Sequence, residues 1–290
     1  MTERSGLVEV TGGRTFYRVV GSAAATPLVL LHGGPGSAHG YFGPLEALAD
    51  ERPIVFYDQL GSGQSDRPAN DSLWTIERFL EELRQLRDAL GLDEVHLLGH
   101  SWGAMLALDY VLGGAEGVRS LILSSPVVSA SMWQADANRL RQELPEEVQA
   151  TLRRHEDAGT TSSDAYKAAE REYYDRFVCR MDPPPEALLE VRKQSNREIY
   201  RLMWGTNEFS VEGTLRDYER MDRLHELDLP TLLCAGRYDE STPESLSIAF
   251  GRIRGAEMII WPNSAHLAPL EEPARYVEGV RGFLRRVEGR

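Results

Sequence analysis

Only two cysteines, Cys179 and Cys234, occur in the 290 residues. They have no C-x-x-C spacing, so neither a disulfide framework nor a thiolate metal site is expected, and both read as reduced, buried thiols. Cations are also scarce: 32 lysines and arginines face 45 aspartates and glutamates, a net charge of −13. Nucleic acids and anionic membranes are bound through clustered cations, so neither is expected as a partner. Long apolar runs are missing too. No stretch could span a bilayer, and Met1-Thr2-Glu3-Arg4-Ser5-Gly6 lacks the apolar core of a signal peptide, so the expected compartment is the cytoplasm. There is no internal repeat and no low-complexity segment, and nothing bears on oligomeric state. What remains has the length for one large α/β domain, or for a core with a smaller insertion.

Residues 7–10 and 14–20 alternate in polarity around Gly12-Gly13, a hairpin signal. Pro27-Leu28-Val29-Leu30-Leu31 and Ile54-Val55-Phe56-Tyr57 are continuous apolar runs, as expected of strands buried on both faces. The first leads into His32-Gly33-Gly34-Pro35-Gly36, the second into Asp58-Gln59-Leu60-Gly61-Ser62-Gly63-Gln64-Ser65-Asp66. Thr75 to Leu90 has helical apolar spacing at Ile76, Phe79, Leu80, Leu83, Leu86 and Leu90, and stops at Gly91. Further strands are expected at 118–123, 230–235 and 258–261, with a closing helix from Pro273 to Val287. Strands alternating with helices predict an α/β fold with a mostly parallel, doubly wound sheet whose active loops lie at the strands' carboxyl ends. From about Ser125 to Asp228 the alternation breaks into charged helical stretches (133–142, 145–157, 163–178, 186–202) punctuated by Pro183-Pro184-Pro185. The expected division is a core of 1–124 and 229–290 with a helical cap, 125–228, inserted in it.

The sharpest local signal is Val95-His96-Leu97-Leu98-Gly99-His100-Ser101-Trp102-Gly103, followed by the helix-compatible Ala104 to Tyr110. An apolar strand, a G-x-S-x-G turn and a helix make a nucleophile elbow. A serine hydroxyl is a weak nucleophile at pH 7 and needs a base, itself oriented by a carboxylate. In such sheets the order is Ser, acid, His, each on a loop after a strand. Asp239 follows the strand ending at Ala235, and His266 follows the strand ending at Trp261, so Ser101, Asp239 and His266 are the expected triad. His96 and His100 sit within the elbow strand, away from a useful approach to Ser101. His32 is expected to brace the glycine loop, and His39, His155 and His225 have no carboxylate in a matching loop. His96 and His100 also lack a third ligand, so no metal site is expected. The tetrahedral intermediate needs preorganised N–H donors. They are expected from the backbone of Trp102, at a helix N-terminus, and of Gly34; Pro35 has no N–H to offer.

Together, His32-Gly33-Gly34-Pro35-Gly36, Asp58-Gln59-x-Gly61-x-Gly63-x-Ser65 and Gly99-His100-Ser101-Trp102-Gly103 resemble the proline iminopeptidase family of α/β-hydrolases over nearly the whole chain. The resemblance implies a serine exopeptidase or amidase that needs no cofactor and releases an N-terminal residue, often proline. Its substrates would be small peptides or aminoacyl amides with a free amino group. In that family carboxylates hold the amino group. The cap motif Met-x-Gly-Pro-x-Glu-Phe looks like Met203-Trp204-Gly205-Thr206-Asn207-Glu208-Phe209 here, which implies Glu208. The residue after the acid of the triad implies Glu240. Competing readings are a solvated cap residue for Glu208 and a cap for the helix starting near Pro243 for Glu240. Two positions depart from the family pattern: Thr206 replaces a usual proline and Phe177 a common histidine. Amidases for L-amino acid amides, or for aminoacyl groups on small biosynthetic intermediates, share the family. An esterase or lactonase would not need Glu208 and Glu240. A dehalogenase or epoxide hydrolase would want an aspartate in place of Ser101, and a ligand receptor on this fold would leave Ser101 unreactive.

Overall fold

The computed structural model describes residues 2–289. Its strands are β1 (Glu3–Val10), β2 (Gly13–Val20), β3 (Leu28–Leu31), β4 (Ile54–Asp58), β5 (Val95–His100), β6 (Val118–Ser124), β7 (Thr231–Gly236) and β8 (Glu257–Trp261). They form one sheet in the order β1-β2-β4-β3-β5-β6-β7-β8. β1, β2 and β4 pair antiparallel, and every pair from β4 to β8 is parallel. The order reverses after β4, so β3 and β5 lie side by side and the loops leaving both open at the same carboxyl edge.

β3, β4 and β5 are buried along their whole length, as their unbroken apolar runs require. Alternate residues divide between two cores. Val29, Leu31, Val55 and Leu97 pack with helices α1 (Ile76–Leu90) and α2 (Trp102–Leu112). Leu28, Leu30, Phe56 and Leu98 pack against the carboxy-terminal helix (Pro273–Val287). The boundaries of α1 have local causes: the Thr75 hydroxyl accepts from the Arg78 N–H, and Gly91 closes the helix in the left-handed conformation at φ 65°.

Between β6 and β7 lie α3 (Ala130–Arg141), α4 (Glu146–Asp157), α5 (Asp164–Phe177), α6 (Glu186–Gln194) and α7 (Arg197–Met203), with no strand of the sheet among the described residues. α8 (Pro243–Phe250), α9 (Ala268–Glu271) and α10, the helix at Pro273–Val287, complete the chain. Two expectations need correction. The helix expected over 186–202 is two, because Ser195 and Asn196 are extended and the Asn196 side chain caps α7 by accepting from Glu198 and Ile199. Asn196 also donates from its backbone to the Gly36 carbonyl at 2.7 Å and from its side chain to Gly61 at 2.9 Å, so the break fastens the insertion to the core loops. The first hairpin turns at Thr11-Gly12 rather than Gly12-Gly13, since Gly13 pairs with Val10. Cys179 and Cys234 are free and buried as expected. Among the described residues no helix is long and apolar enough to cross a membrane.

Candidate active site

β5 ends at His100 and α2 begins at Trp102, leaving Ser101 alone on the turn with φ 56° and ψ −121°. A non-glycine residue with positive φ is strained, and it persists only where the surroundings hold it. They do: a Cβ at Gly99 would run into the Gly103 carbonyl, and one at Gly103 into the Leu31 carbonyl. Strand, helix and the neighbouring β3 loop are therefore pressed around the serine. Its N–H donates to the Ser124 carbonyl at 3.0 Å, while its hydroxyl forms no hydrogen bond among the described residues.

His266 and Asp239 meet as their strand positions imply. The imidazole Nδ1 lies 2.8 Å from Asp239 Oδ1, and since a carboxylate accepts, the ring proton belongs there and leaves Nε2 basic. Asp239 is itself held by three further donors: Ser125 Oγ at 2.6 Å and the Gly236 N–H at 3.2 Å on Oδ2, and the Ser241 N–H at 2.8 Å on Oδ1. Burial works against a charged His266, but the charges of Asp239 and Glu208 outweigh it, so its pKa stands above the ordinary value. Ser125 did not emerge from the sequence. Its position just past the carboxyl end of β6 was the available signal.

His100 turns away from Ser101, as expected. Its Nε2 donates to the His266 carbonyl at 2.8 Å, and its Nδ1 accepts from the Tyr41 hydroxyl at 3.1 Å, which in turn accepts from the Gly33 N–H at 2.7 Å. Burial holds His100 well below the ordinary imidazole range, so it stays neutral. His96 faces Ser120 and Glu288 instead. His39 corrects the expectation that it lacks a carboxylate: its Nδ1 is 2.7 Å from Asp58 Oδ1, at the end of β4. That pair sits against Phe16 and Phe56, on the β2–β4 side of the sheet, whereas the His266 ring lies by His100 and Trp133.

Of the expected oxyanion donors, Trp102 opens α2, so its N–H has no intrahelical carbonyl. Gly33 abuts Ser101, and its own N–H is engaged by Tyr41. The next residue, Gly34, has φ 115° and an N–H without a partner among the described residues.

Glu240 directly follows Asp239 and is 1% exposed. The helix-cap reading of Glu240 fails, because Thr242 caps α8 by accepting from the Ser245 N–H. Neither Glu240 oxygen has a hydrogen-bond partner within 3.5 Å among the described residues, though the Tyr173 hydroxyl lies near enough to oppose part of the effect of burial. Burial raises its pKa well above the carboxylate range, reinforced by the nearby charges of Glu208 and Asp239. Glu208 lies in the segment after α7 and keeps part of its surface open. Burial raises its pKa as well, opposed mainly by His266. Trp133 from α3 donates its indole N–H to the Glu208 carbonyl at 2.8 Å and stands edge-on to the His266 ring at 5.9 Å. The hydroxyls of Tyr173, near Glu240, and of Tyr200, near Glu208, complete this polar enclosure without a partner inside 3.5 Å among the described residues. Trp133, Tyr173 and Tyr200 also escaped the sequence reading, being aromatic residues at ordinary helical spacing.

The α/β hydrolase fold family matches residues 26–273. The proline iminopeptidase of Heyndrickxia coagulans is 43% identical over 281 residues, covering 96% of this chain and 98% of that protein. That of Clostridium botulinum strain Hall is 39% identical, covering 93% and 94%. Among solved structures, VinJ superposes with a TM-score of 0.94 at 37% identity, covering 98% of this chain and 99% of its own. Proline iminopeptidase from Mycobacterium smegmatis superposes at 0.91 and 36% identity, covering 98% of each. By sequence and by fold, the chain belongs to the proline iminopeptidase family of α/β-hydrolases.

Proposed function

We propose that this protein is a serine hydrolase that cleaves the amide bond after a free N-terminal residue, acting on small peptides or aminoacyl amides. Ser101 Oγ attacks the carbonyl as its proton passes to His266 Nε2, while Asp239 holds the ring and stabilises the imidazolium. The N–H groups of Gly34 and Trp102 receive the developing oxyanion. Collapse breaks the C–N bond, the amine leaves with the proton from His266, and water, deprotonated by the same histidine, releases the acid from Ser101. Glu208 and Glu240 bind the substrate ammonium, and the insertion 125–228 serves as a cap that encloses the first residue.

The observation that carries this reading is the Glu240 carboxyl, buried beside Glu208 with no cation and no donor within 3.5 Å among the described residues. A buried acid without a hydrogen-bond donor is costly. A free N-terminus supplies a positive charge and three donors, or two where the residue is proline, whereas an N-acetylated chain supplies no charge and at most one donor. Hydrolysis of the 4-nitroanilides of Pro, Ala, Leu and Phe, each beside its N-acetylated twin, tests it. Free-amine substrates should be cleaved, blocked twins should not, and Ser101→Ala should abolish both turnover and labelling by a fluorophosphonate. Equal cleavage of the blocked twins would refute the ammonium site and favour an esterase-like hydrolase. The most active anilide also identifies the preferred residue.

A further inference from the structure

Gln59 follows β4 directly, is 1% exposed, and forms three hydrogen bonds with the site. Its side-chain Nε2 donates to the His32 carbonyl at 2.9 Å, and its Oε1 accepts from the Trp102 indole N–H at 2.8 Å. Its backbone N–H donates to His32 Nε2 at 3.0 Å. That last bond makes Nε2 an acceptor, so the His32 proton sits on Nδ1, which donates to the Gly33 carbonyl at 2.9 Å. Within a trans peptide the carbonyl and the following N–H point in opposite directions. Fixing the Gly33 carbonyl therefore fixes the direction of the Gly34 N–H. Burial keeps His32 neutral, with its pKa lowered to about 4, so this tautomer persists at neutral pH.

We propose that Gln59 is a positioning residue that sets the oxyanion hole, one carboxamide tying the loop that carries the Gly34 N–H to Trp102, which carries the other. The proposal rests on the roles given above to Gly34 and Trp102. The loop after β3 and the elbow after β5 are separate segments, and two donors act together only if their spacing is held within a fraction of an ångström. Trp102 is 1% exposed and His32 fully buried, so no solvent competes for either arm. Gln59 does not touch substrate. It acts through the two residues it joins.

The test uses Gln59→Leu, which keeps the volume and removes both side-chain bonds, and Gln59→Glu, which keeps the acceptor for Trp102 and loses the donor to His32. Each is assayed for kcat and KM on the preferred aminoacyl 4-nitroanilide, and for inhibition by two ligands. One is the matching α-aminoboronic acid, whose boron bonds Ser101 Oγ while the hydroxyl proton passes to His266, leaving a tetrahedral boronate with an oxygen in the hole. The other is the free amino acid, which makes the ammonium contacts without a tetrahedral centre. In Gln59→Leu, kcat and boronate affinity should fall together by about 10- to 100-fold, less than or near the loss of one oxyanion donor. KM and the inhibition constant of the amino acid should stay within about threefold, which a general loosening of the pocket would not allow. A folded Gln59→Leu with kcat within threefold of the parent, or with both ligands weakened equally, overturns the proposal. Should Gln59→Leu not fold, Gln59→Glu combined with Trp102→Phe decides: additive losses overturn it, and a double variant no worse than Gln59→Glu alone supports it. If the parent protein does not bind the aminoboronic acid at all, the hydrolase reading itself is what fails.

Discussion

Glu240 and His266 hang from one atom, the carbonyl oxygen of Phe177, which accepts from both backbone N–H groups at 3.3 Å. Phe177 is the last residue of α5, where helix carbonyls lack internal partners. The end of this helix thus satisfies itself on the two loops that carry Glu240 and His266, the proposed ammonium-binding acid and base. The Phe177 ring holds this end in place by packing against Tyr173 at 5.0 Å. Phe177→Ala should therefore destabilise the fold by about 3 kcal/mol, as for other buried aromatic truncations. It should also reduce kcat/KM more than tenfold on free-amine anilides and simple acetate esters alike, because it disturbs the proposed base as well as the proposed ammonium site. Thermal melts and paired assays check both. A loss confined to free-amine substrates would show that the tether matters to Glu240 alone.

Glu208→Gln should behave differently. Removing one partner of a buried charge contact costs about 2–5 kcal/mol, so kcat/KM for free-amine anilides should fall roughly thirty- to a few-thousand-fold. Acetate esters carry no ammonium and should lose little. The melting temperature should hold or rise, since the burial that raises the Glu208 pKa opposes folding with a charged carboxylate there, and a neutral amide avoids that penalty. A parallel loss on esters would refute the ammonium role.

The proposed base implies a pH signature. His266 must be neutral to accept the Ser101 proton, and its pKa is raised, so activity should be lost as pH falls through a midpoint above 6.5. Glu208 contributes to that elevation by its charge. A bound ammonium offsets the charge, so the acid midpoint should be lower in kcat, which reports the complex, than in kcat/KM, which reports the free protein. In Glu208→Gln the two midpoints should converge. Profiles from pH 5 to 8 decide, and a flat kcat/KM over that range would exclude His266 as the base wherever chemistry limits the rate.

The positions proposed for the triad were readable because each follows a run of strand character: β5, β7 and β8 end shortly before Ser101, Asp239 and His266. Asp239 and His266 meet because β7 and β8 are parallel neighbours whose following loops open at the same edge. Contacts between segments far apart in the chain left no such trace. The bond of His39 to Asp58 spans 19 residues and depends on how the loop after β3 folds over β4. The shared carbonyl of Phe177 is a main-chain contact, and any side chain at 177 could have made it. The break at Ser195-Asn196 was readable in principle, since an asparagine two residues before a glutamate is a helix-start signal. The apolar spacing over 186–202 hid it.

Two buried histidines other than His266 should shape stability. Burial lowers both His32 and His96 to about 4. Each regains its ordinary value of about 6.5 on unfolding. Between pH 6.5 and 4 the unfolded chain therefore binds more protons than the folded one, and stability falls as pH falls. The difference corresponds to about 3 kcal/mol per histidine once pH has fallen to the folded-state value of about 4. His266 acts in the opposite sense: its raised pKa contributes stability that is complete below pH 6.5 and is lost as pH rises through its folded value. His96 is the one to replace, because it contacts Ser120 and Glu288 rather than the catalytic loops. Urea unfolding from pH 4 to 7 should show that His96→Gln is less stable than the parent at pH 7 and loses less stability on acidification. The slope of unfolding free energy against pH should drop by close to one proton in that window. An unchanged slope would mean that His96 already carries its proton in the folded protein, or that it never regains one on unfolding.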